Sequence, residues 1–165
     1  MAKKKSTIKK YNQKKVRIDS IYGSYWLSKF INKFLCNGKK HGLEKKIQNT
    51  FNKIKLKYQR IPVQILFFIL LYLKPFFGFV YKRLGKEWKK LPIPLEPRRQ
   101  YIIALTWLVN HIKSQLSLSN QVFEKNLYII LQNFFKDKKN TLIKQRNEYF
   151  NQVQEFRINS KFRWK

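Results

Sequence analysis

Apolar residues recur three or four positions apart along most of the chain, and this spacing predicts helices. The first helix runs from residue 19 to a stop at Asn37-Gly38, and the second covers about residues 41–58. The inward-facing residues are Trp26, Leu27, Phe30, Ile31 and Phe34 in the first helix and Leu43, Ile47, Phe51 and Ile54 in the second. Because only a short loop joins these two helices, we expect them to pack antiparallel.

Residues 61–81 differ from the rest because they are apolar on nearly every face. Their uninterrupted apolar run, residues 65–73, is shorter than the roughly 20 residues that a membrane span needs, and Lys74-Pro75 interrupts it. We therefore expect no transmembrane segment.

The stretch that follows alternates Leu and Ile with Pro92 and Pro94. Proline lacks the backbone N–H that a central strand must donate, so this stretch is predicted to be the edge strand of a β-hairpin over about residues 78–95. A fourth helix is expected to begin at Pro97, because proline loses nothing at a first helical position and Glu96 suits the positive end of the helix dipole. Its inward-facing residues are Tyr101, Leu105, Leu108 and Ile112.

The remainder of the chain predicts two more helices. A loop over residues 114–120 leads into the fifth helix, which Asn120 and Glu124 open, and a charged break over residues 136–140 precedes the sixth helix, from Thr141. The inward-facing residues are Phe123, Leu127, Ile130 and Phe134, then Leu142, Tyr149, Val153 and Phe156, and the outer face of the sixth helix carries Lys144, Arg146 and Arg157. The predicted fold is mostly α: a bundle of about six helices with a β-hairpin projecting between the third and fourth.

Charge is the strongest signal in the composition. Lysine and arginine total 37 against 8 aspartates and glutamates, a formal net charge of +29, so the chain repels itself unless a polyanion is its normal partner. Arg98 and Arg99 fall in the first turn of the fourth helix, where two cations oppose the helix dipole unless an external anion meets them. Phosphate is the anion that we expect there. With 44% hydrophobic residues, the chain is too apolar for a disordered basic tail.

The length of 165 residues suits a single domain. Residues 1–15 are rich in lysine and almost free of apolar residues, so we expect a flexible basic arm that contacts RNA, followed by one helical domain over residues 16–165. The lysines of this arm are Lys3, Lys4, Lys5, Lys9, Lys10, Lys14 and Lys15. A tail that only keeps the protein soluble is the alternative.

Nothing in the sequence indicates catalysis. Cys36 is the single cysteine, which excludes an internal disulfide and a thiolate zinc cluster. His41 and His111 cannot make a metal site by themselves. We therefore expect a binding and scaffolding protein that is not an enzyme and uses no cofactor, metal or small-molecule substrate.

Two other classes of protein fit part of the pattern. A basic protein of a membrane surface, docked through residues 65–79 with its lysines on anionic headgroups, would explain the apolar run and the charge. A general DNA compactor would explain the charge alone. Partition into vesicles without RNA, or binding to duplex DNA as tight as binding to RNA, distinguishes these classes from an RNA-binding protein.

Three separated motifs carry a resemblance to a known family. In chain order they are Tyr22-Gly23-Ser24 with Leu27, Lys29-Phe30-Ile31-Asn32 and Asn37-Gly38-Lys39-Lys40; Pro94 and Pro97-Arg98-Arg99 with Ala104 and Trp107-Leu108; and Lys144, Arg146 and Arg157 with Phe162-Arg163-Trp164. With these motifs, the chain resembles the bacterial-type small-subunit ribosomal protein seven family over nearly everything after the N-terminal arm.

The resemblance implies a structural constituent of the small ribosomal subunit. A member of this family would bind the 3′ major domain of the small-subunit rRNA, nucleate assembly of the head beside neighbouring small-subunit ribosomal proteins, and border the exit-site tRNA and mRNA path. The residues that we expect to bind rRNA are Lys3, Lys4, Lys5, Lys9, Lys10, Lys39, Lys40, Arg98, Arg99, Lys144, Arg146 and Arg163. The hairpin would place Arg83, Lys86, Trp88 and Lys89 near tRNA and mRNA, with Trp88 either stacked on a base or packed on the hairpin's own helix.

The chain departs from the family pattern in three places. The resemblance implies a third helix that ends at Lys74-Pro75. In the family this helix is normally amphipathic, whereas here it is apolar, so we expect another ribosomal protein or an added organellar segment to cover Phe67, Phe68, Leu71 and Tyr72. We expect residues 82–90 to form the tip of the hairpin. Lys86 stands where the family usually has the second of two glycines, so we expect the hairpin to survive with an altered tip. In the sixth helix the family usually has histidine, methionine and asparagine at the positions of Phe150, Gln152 and Phe156.

Amino-acid usage bears on the compartment. Lysine far exceeds arginine, Phe, Tyr, Asn and Ile abound, and alanine occurs only at Ala2 and Ala104. This is the coding bias of an A+T-rich genome. An organellar genome would explain this bias, and so would an A+T-rich bacterium or nucleus. We expect a mitochondrial ribosome in the matrix, with a plastid or a bacterial cytoplasm as alternatives.

Overall fold

The computed structural model of the protein describes residues 18–35, 37–118, 123–134 and 141–162. The helices in these ranges are α1 Tyr25–Phe34, α2 Lys40–Tyr58, α3 Pro62–Leu73, α4 Pro97–Leu118, α5 Phe123–Asn133 and α6 Thr141–Glu155. The strands are β1 Phe77–Leu84 and β2 Glu87–Pro94, and a 3-10 helix, Phe156–Phe162, follows α6. The predicted helical bundle with a hairpin between the third and fourth helices is therefore confirmed.

The first helix begins later than predicted, because the chain forms a turn before it. The Asp19 carboxylate accepts a hydrogen bond from the backbone N–H of Tyr22 at 2.9 Å, and the Asp19 carbonyl accepts one from Gly23 at 3.0 Å. Gly23 has a φ of +58°, a left-handed conformation that glycine adopts without strain. Ser24 then caps α1, its Oγ accepting a hydrogen bond from the backbone N–H of Leu27 at 3.3 Å.

The prediction of a loop directly after Lys113 is wrong, since residues 114–118 continue α4. The Ser114 hydroxyl donates a hydrogen bond to the His111 carbonyl at 2.8 Å, which satisfies this polar side chain within the helix. The rest of the predicted loop, with Asn120, lies outside the described residues. The predicted break over residues 136–140 lies outside them as well.

α4 is a central helix of the bundle, and it contacts α1, α3, α5 and α6. The α4 residues that are at most 2% exposed are Ala104, Leu105, Leu108, Val109 and Ile112. Burial of a Leu or Ile side chain contributes about 1.5–3 kcal/mol to folding. A polar link joins α1 to α4, where the Lys33 ammonium donates a hydrogen bond to Thr106 Oγ1 at 2.8 Å. The inward faces predicted for α1, α2, α4 and α5 belong to this core or pack against it.

α3 is apolar on its buried and exposed sides alike, as predicted. The buried residues, at most 1% exposed, are Leu66, Ile69, Leu70 and Leu73; the exposed ones, between 39% and 55% exposed, are Phe67, Phe68, Leu71 and Tyr72. In the described part of the chain, no single helix has the length and apolar composition to cross a membrane. Taken together, α2 and α3 have that length and composition, but the two helices are bent by 94° relative to each other.

The hairpin turns more sharply than predicted. β1 and β2 pair antiparallel with Leu84 opposite Glu87, so a two-residue turn, Gly85-Lys86, connects them. Gly85 has a φ of +65°, which the first position of a primed hairpin turn requires. Most of residues 82–90, which were expected to form the tip, are therefore paired strand.

The base of the hairpin packs against α6 and the 3-10 helix. The Phe79 ring meets the rings of Tyr149 and Phe156 edge-on, with centroids 5.3 Å and 5.9 Å away. The Asn159 side-chain amide donates a hydrogen bond to the Lys90 carbonyl at 3.1 Å. These contacts fix the direction in which the tip projects from the bundle.

Phe51, in α2, is 0% exposed, and we expect Phe51→Ala to lower the free energy of unfolding by about 3–5 kcal/mol, because it removes apolar contacts and leaves a cavity. A urea titration followed by circular dichroism measures this loss. The matched control is Leu56→Ala on the same helix, where the side chain is 83% exposed and the expected change is below about 0.5 kcal/mol. Equal losses in the two variants would contradict this assignment of the core.

Candidate nucleic-acid interface

Arg98 and Arg99 lie exposed in the first turn of α4, which holds no acidic residue. Gln100 fixes the entry to this helix, since its side-chain amide donates to the Leu95 carbonyl at 2.8 Å and its backbone N–H donates to the Glu96 carbonyl at 3.0 Å. Two cations at the positive end of a helix dipole raise the energy of the free protein. An anion bound at this turn relieves both the mutual repulsion and the dipole effect.

The Arg98 side chain reaches the beginning of α1. Its guanidinium donates a hydrogen bond to the Tyr25 hydroxyl at 3.2 Å, and Lys29 Nζ lies 5.6 Å from the centre of the Tyr25 ring. Partial burial by itself would raise the pKa of the Tyr25 hydroxyl, but the hydrogen bond from Arg98 and the two nearby cations outweigh burial and lower that pKa. Positive charge is therefore concentrated here, and sequence reasoning did not assign Tyr25 or Lys29 to the site.

Stacked aromatic rings lie beside this cluster. The Trp26 and Tyr101 ring centroids are 4.9 Å apart, and Phe67 stacks on Tyr101 at 5.8 Å with 20° between the ring planes. Lys74 Nζ lies 5.2 Å from the centre of the same Tyr101 ring. No sequence spacing relates Lys74 to Tyr101, so only the fold reveals that this lysine is a neighbour.

The positive charge of Arg99 acts on Tyr149 of α6. Burial, the larger effect, raises the pKa of the Tyr149 hydroxyl, and the positive charge of Arg99 lowers it in part. Tyr149 also contacts Trp107 of α4, with ring centroids 5.2 Å apart. One helix turn thus carries two cations: Arg98 is hydrogen-bonded to α1, and the charge of Arg99 acts on Tyr149 of α6.

Lys39 and Lys40 form a second positive site where α2 begins. Asn37 and Gly38 precede them with left-handed φ values of 52° and 73°. α2 has no capping side chain and no acidic residue in its first turn, so its N-terminal backbone N–H groups add to the positive charge. Lys40 Nζ lies 3.3 Å from the Glu44 carboxylate, which leaves Lys39 the better placed of the two for an external phosphate.

The hairpin carries cations on both faces. Lys82 is directly opposite Lys89, and like charges in this position destabilise a β-ladder. Arg83 is opposite Trp88, whose side chain is 67% exposed and so is not packed on a helix as an anchor. Lys86 is exposed at the turn. The tip therefore presents an open indole with cations around it.

The basic residues of the C-terminal part occupy two kinds of environment. Lys144 is exposed in α6, and Arg157 is exposed in the 3-10 helix beyond it. The prediction that Arg146 lies on the outer face is wrong. Its guanidinium carbon lies 4.7 Å from the centre of the Tyr72 ring and 5.1 Å from that of Phe150, and its Nε is buried. The aromatic faces attract the cation and turn it towards α3.

The other predicted rRNA-binding residues lie outside the described residues: Lys3, Lys4, Lys5, Lys9, Lys10 and Arg163. In the part of the chain that the structure describes, no three His, Cys, Asp or Glu side chains come together as a metal site would need. His111 Nδ1 lies 3.2 Å from the Thr141 hydroxyl oxygen, and burial lowers the pKa of His111. Its ring therefore adds no charge to the interface at neutral pH.

Comparison with known proteins places the chain in a family. The sequence matches the family Ribosomal protein S7p/S5e over residues 4–149. Small ribosomal subunit protein uS7 of Dinoroseobacter shibae is 30% identical over 98 residues, which are 59% of this chain and 63% of that protein, less than two thirds of its length. The proteins of the same name from Ruegeria pomeroyi and Mycoplasma mycoides are 24% and 28% identical over 152 residues, with 92% and 90% of this chain and 95% and 94% of theirs covered. The chain therefore belongs to the Ribosomal protein S7p/S5e family.

Proposed function

We propose that the protein is a structural constituent of the small ribosomal subunit that binds the 3′ major domain of its rRNA and nucleates assembly of the head. Family membership and the relatives named small ribosomal subunit protein uS7 support this role, which is structural and not enzymatic. The partners are then the small-subunit rRNA and neighbouring small-subunit ribosomal proteins.

The observation that carries the proposal is the fixed placement of cations at helix ends. Folded RNA offers phosphates at fixed positions but few readable base edges, so cations on rigid elements recognise its shape and not its sequence. Arg98 and Arg99 share the first turn of α4, a helix that the core holds in place, and Lys39 precedes the start of α2. The net charge of +29 favours a polyanionic partner of this size.

We assign the hairpin to the exit-site tRNA and mRNA path. Arg83, Lys86 and Lys89 would meet phosphates, and the exposed indole of Trp88 would stack on a base. Phosphates there would also relieve the repulsion between Lys82 and Lys89.

We further propose that residues 1–15 form a basic RNA-contacting arm ahead of one helical domain over residues 16–165, and that the ribosome is mitochondrial. The lysine content supports the arm, and the A+T-rich coding bias supports an organelle. Sedimentation of the protein with mitochondrial ribosomes, and not with plastid or bacterial ones, tests the compartment.

The double substitution Arg98→Ala and Arg99→Ala is expected to weaken binding to a transcript of the rRNA 3′ major domain by roughly tenfold or more, because hydrogen bonds to charged groups contribute about 1.5–3 kcal/mol each. The slope of log affinity against log salt concentration should become shallower by about 0.7–0.9 for each phosphate that the variant no longer neutralises. Filter binding over a range of salt concentrations measures both, with a shuffled RNA of equal length as the reference.

The matched control is Lys55→Ala with Lys125→Ala, which removes the same charge from exposed positions on α2 and α5. This control should keep most of the preference for the native transcript. An unchanged affinity in the arginine variant would remove Arg98 and Arg99 from the interface. Binding of the unaltered protein to anionic vesicles, together with equal affinity for native and shuffled RNA, would favour the membrane-surface alternative.

Trp88→Ala is expected to weaken the binding of deacylated tRNA to the exit site of assembled ribosomes by roughly fivefold to a hundredfold, because stacking of a base on an aromatic ring contributes about 1–3 kcal/mol. Titration of labelled tRNA measures the change. The control is Val80→Ala, which removes a 42% exposed side chain from the same hairpin and should leave tRNA affinity intact. If the two variants behave alike, the tip does not stack on tRNA.

A further inference from the structure

A groove of about 1030 Å³ opens between α2, α3, α5 and α6. Its walls are mostly apolar and include Ile65, Phe68 and Leu71 of α3. Three cationic side chains also line it, and its described lining residues include no aspartate or glutamate. These cations are Arg60, Lys74 and Arg146.

Arg146 is the most constrained of these cations. Its guanidinium lies between the Tyr72 and Phe150 rings, and its Nε is buried without a hydrogen-bond partner among the described residues. A buried N–H of a charged group carries a desolvation penalty that a carboxylate acceptor removes. The groove therefore combines a cation whose Nε lacks a hydrogen-bond acceptor in the described part of the chain with an apolar surface of a kind that seldom stays exposed to water.

We propose that this groove receives an acidic, apolar segment of a neighbouring small-subunit ribosomal protein. A carboxylate of that segment pairs with the Arg146 guanidinium where it lines the groove, and its apolar side chains cover Phe68 and Leu71. The positive rim, which has no acidic counterpart in the lining, selects a negatively charged segment. This inference rests on the proposed function, because it takes the partner from the same subunit.

RNA fits the groove less well than protein does. Its phosphates and sugars would lie against the apolar walls that Ile65, Phe68 and Leu71 form, where their polar groups would lose water without gaining hydrogen bonds. We expected one partner to cover Phe67, Phe68, Leu71 and Tyr72 of α3, but Phe67 does not line this groove. Phe67 turns away from it and stacks on Tyr101 near the arginine cluster, so the partner covers only Phe68, Leu71 and Tyr72.

Photo-cross-linking in assembled subunits tests the proposal. The full-length protein carries p-benzoylphenylalanine in place of Phe68, whose side chain is 55% exposed, and small subunits that contain it are purified by sedimentation and irradiated. Mass spectrometry then identifies the cross-linked molecule. The matched control places the same cross-linker at Leu56, which is 83% exposed and does not line this groove.

The expected product at Phe68 is an adduct with a protein segment in which aspartate or glutamate stands beside apolar residues, whereas Leu56 gives a different adduct or none. Adding Arg146→Gln should reduce the yield at Phe68 about tenfold, because the carboxylate loses its charged donor. Arg146→Lys, which keeps the charge but not the planar guanidinium, should give a smaller reduction.

Several results would overturn the assignment. They are an adduct with rRNA, an adduct with a segment that lacks acidic residues, no adduct at all, or a yield that Arg146→Gln does not change. Sedimentation separates these results from a failure of the proposed function. If the unaltered protein does not enter small subunits, both the ribosomal role and this partner are excluded, whereas entry without the expected adduct excludes the partner alone.

Discussion

Positive charge that the chain does not neutralise within itself is the constraint on which the rest of the structure depends. The chain has 37 basic but only 8 acidic residues, so most of its cations have no carboxylate with which to pair. Ion pairs among the described residues join Lys40 to Glu44, Lys53 to Glu124 and Lys89 to Glu87 at 3.3–3.8 Å. Exposed pairs of this kind contribute less than about 1 kcal/mol each. Folding therefore rests on apolar burial, and the remaining repulsion favours a polyanionic partner.

Aromatic rings hold several lysine side chains in place, as carboxylates do in less basic proteins. Lys90 Nζ lies 5.3 Å from the centre of the Phe156 ring and 5.7 Å from that of Tyr81, which joins the hairpin to the 3-10 helix. Lys74 lies over Tyr101 in the same manner. A cation over a ring contributes about 0.5–1 kcal/mol at exposed sites, and the ring leaves the charge itself intact. The cations are thereby held in place without losing their attraction for phosphate.

The parts of the fold that the sequence predicts are those that local rules decide. Pro97 and the apolar spacing after it define the start of α4, and Gly85 allows the hairpin turn. The wrongly predicted helix ends lie where a polar side chain forms a hydrogen bond to the nearby backbone. Asp19 bonds to the backbone of its own turn and delays α1, whereas Ser114 bonds back to His111 and lets α4 continue. Periodicity alone does not decide between such local hydrogen bonds.

The same limitation governs the candidate interface. A helical wheel places every arginine outside, yet Arg146 and Arg98 reach different environments because different aromatic residues receive them. Tyr25 accepts a hydrogen bond from Arg98 through its hydroxyl and leaves this arginine at the surface, whereas the ring faces of Tyr72 and Phe150 enclose Arg146. The number of cations thus overstates the surface available to RNA. The chain divides its positive charge between a surface that suits phosphates, at the start of α4, and a groove whose apolar walls suit a protein.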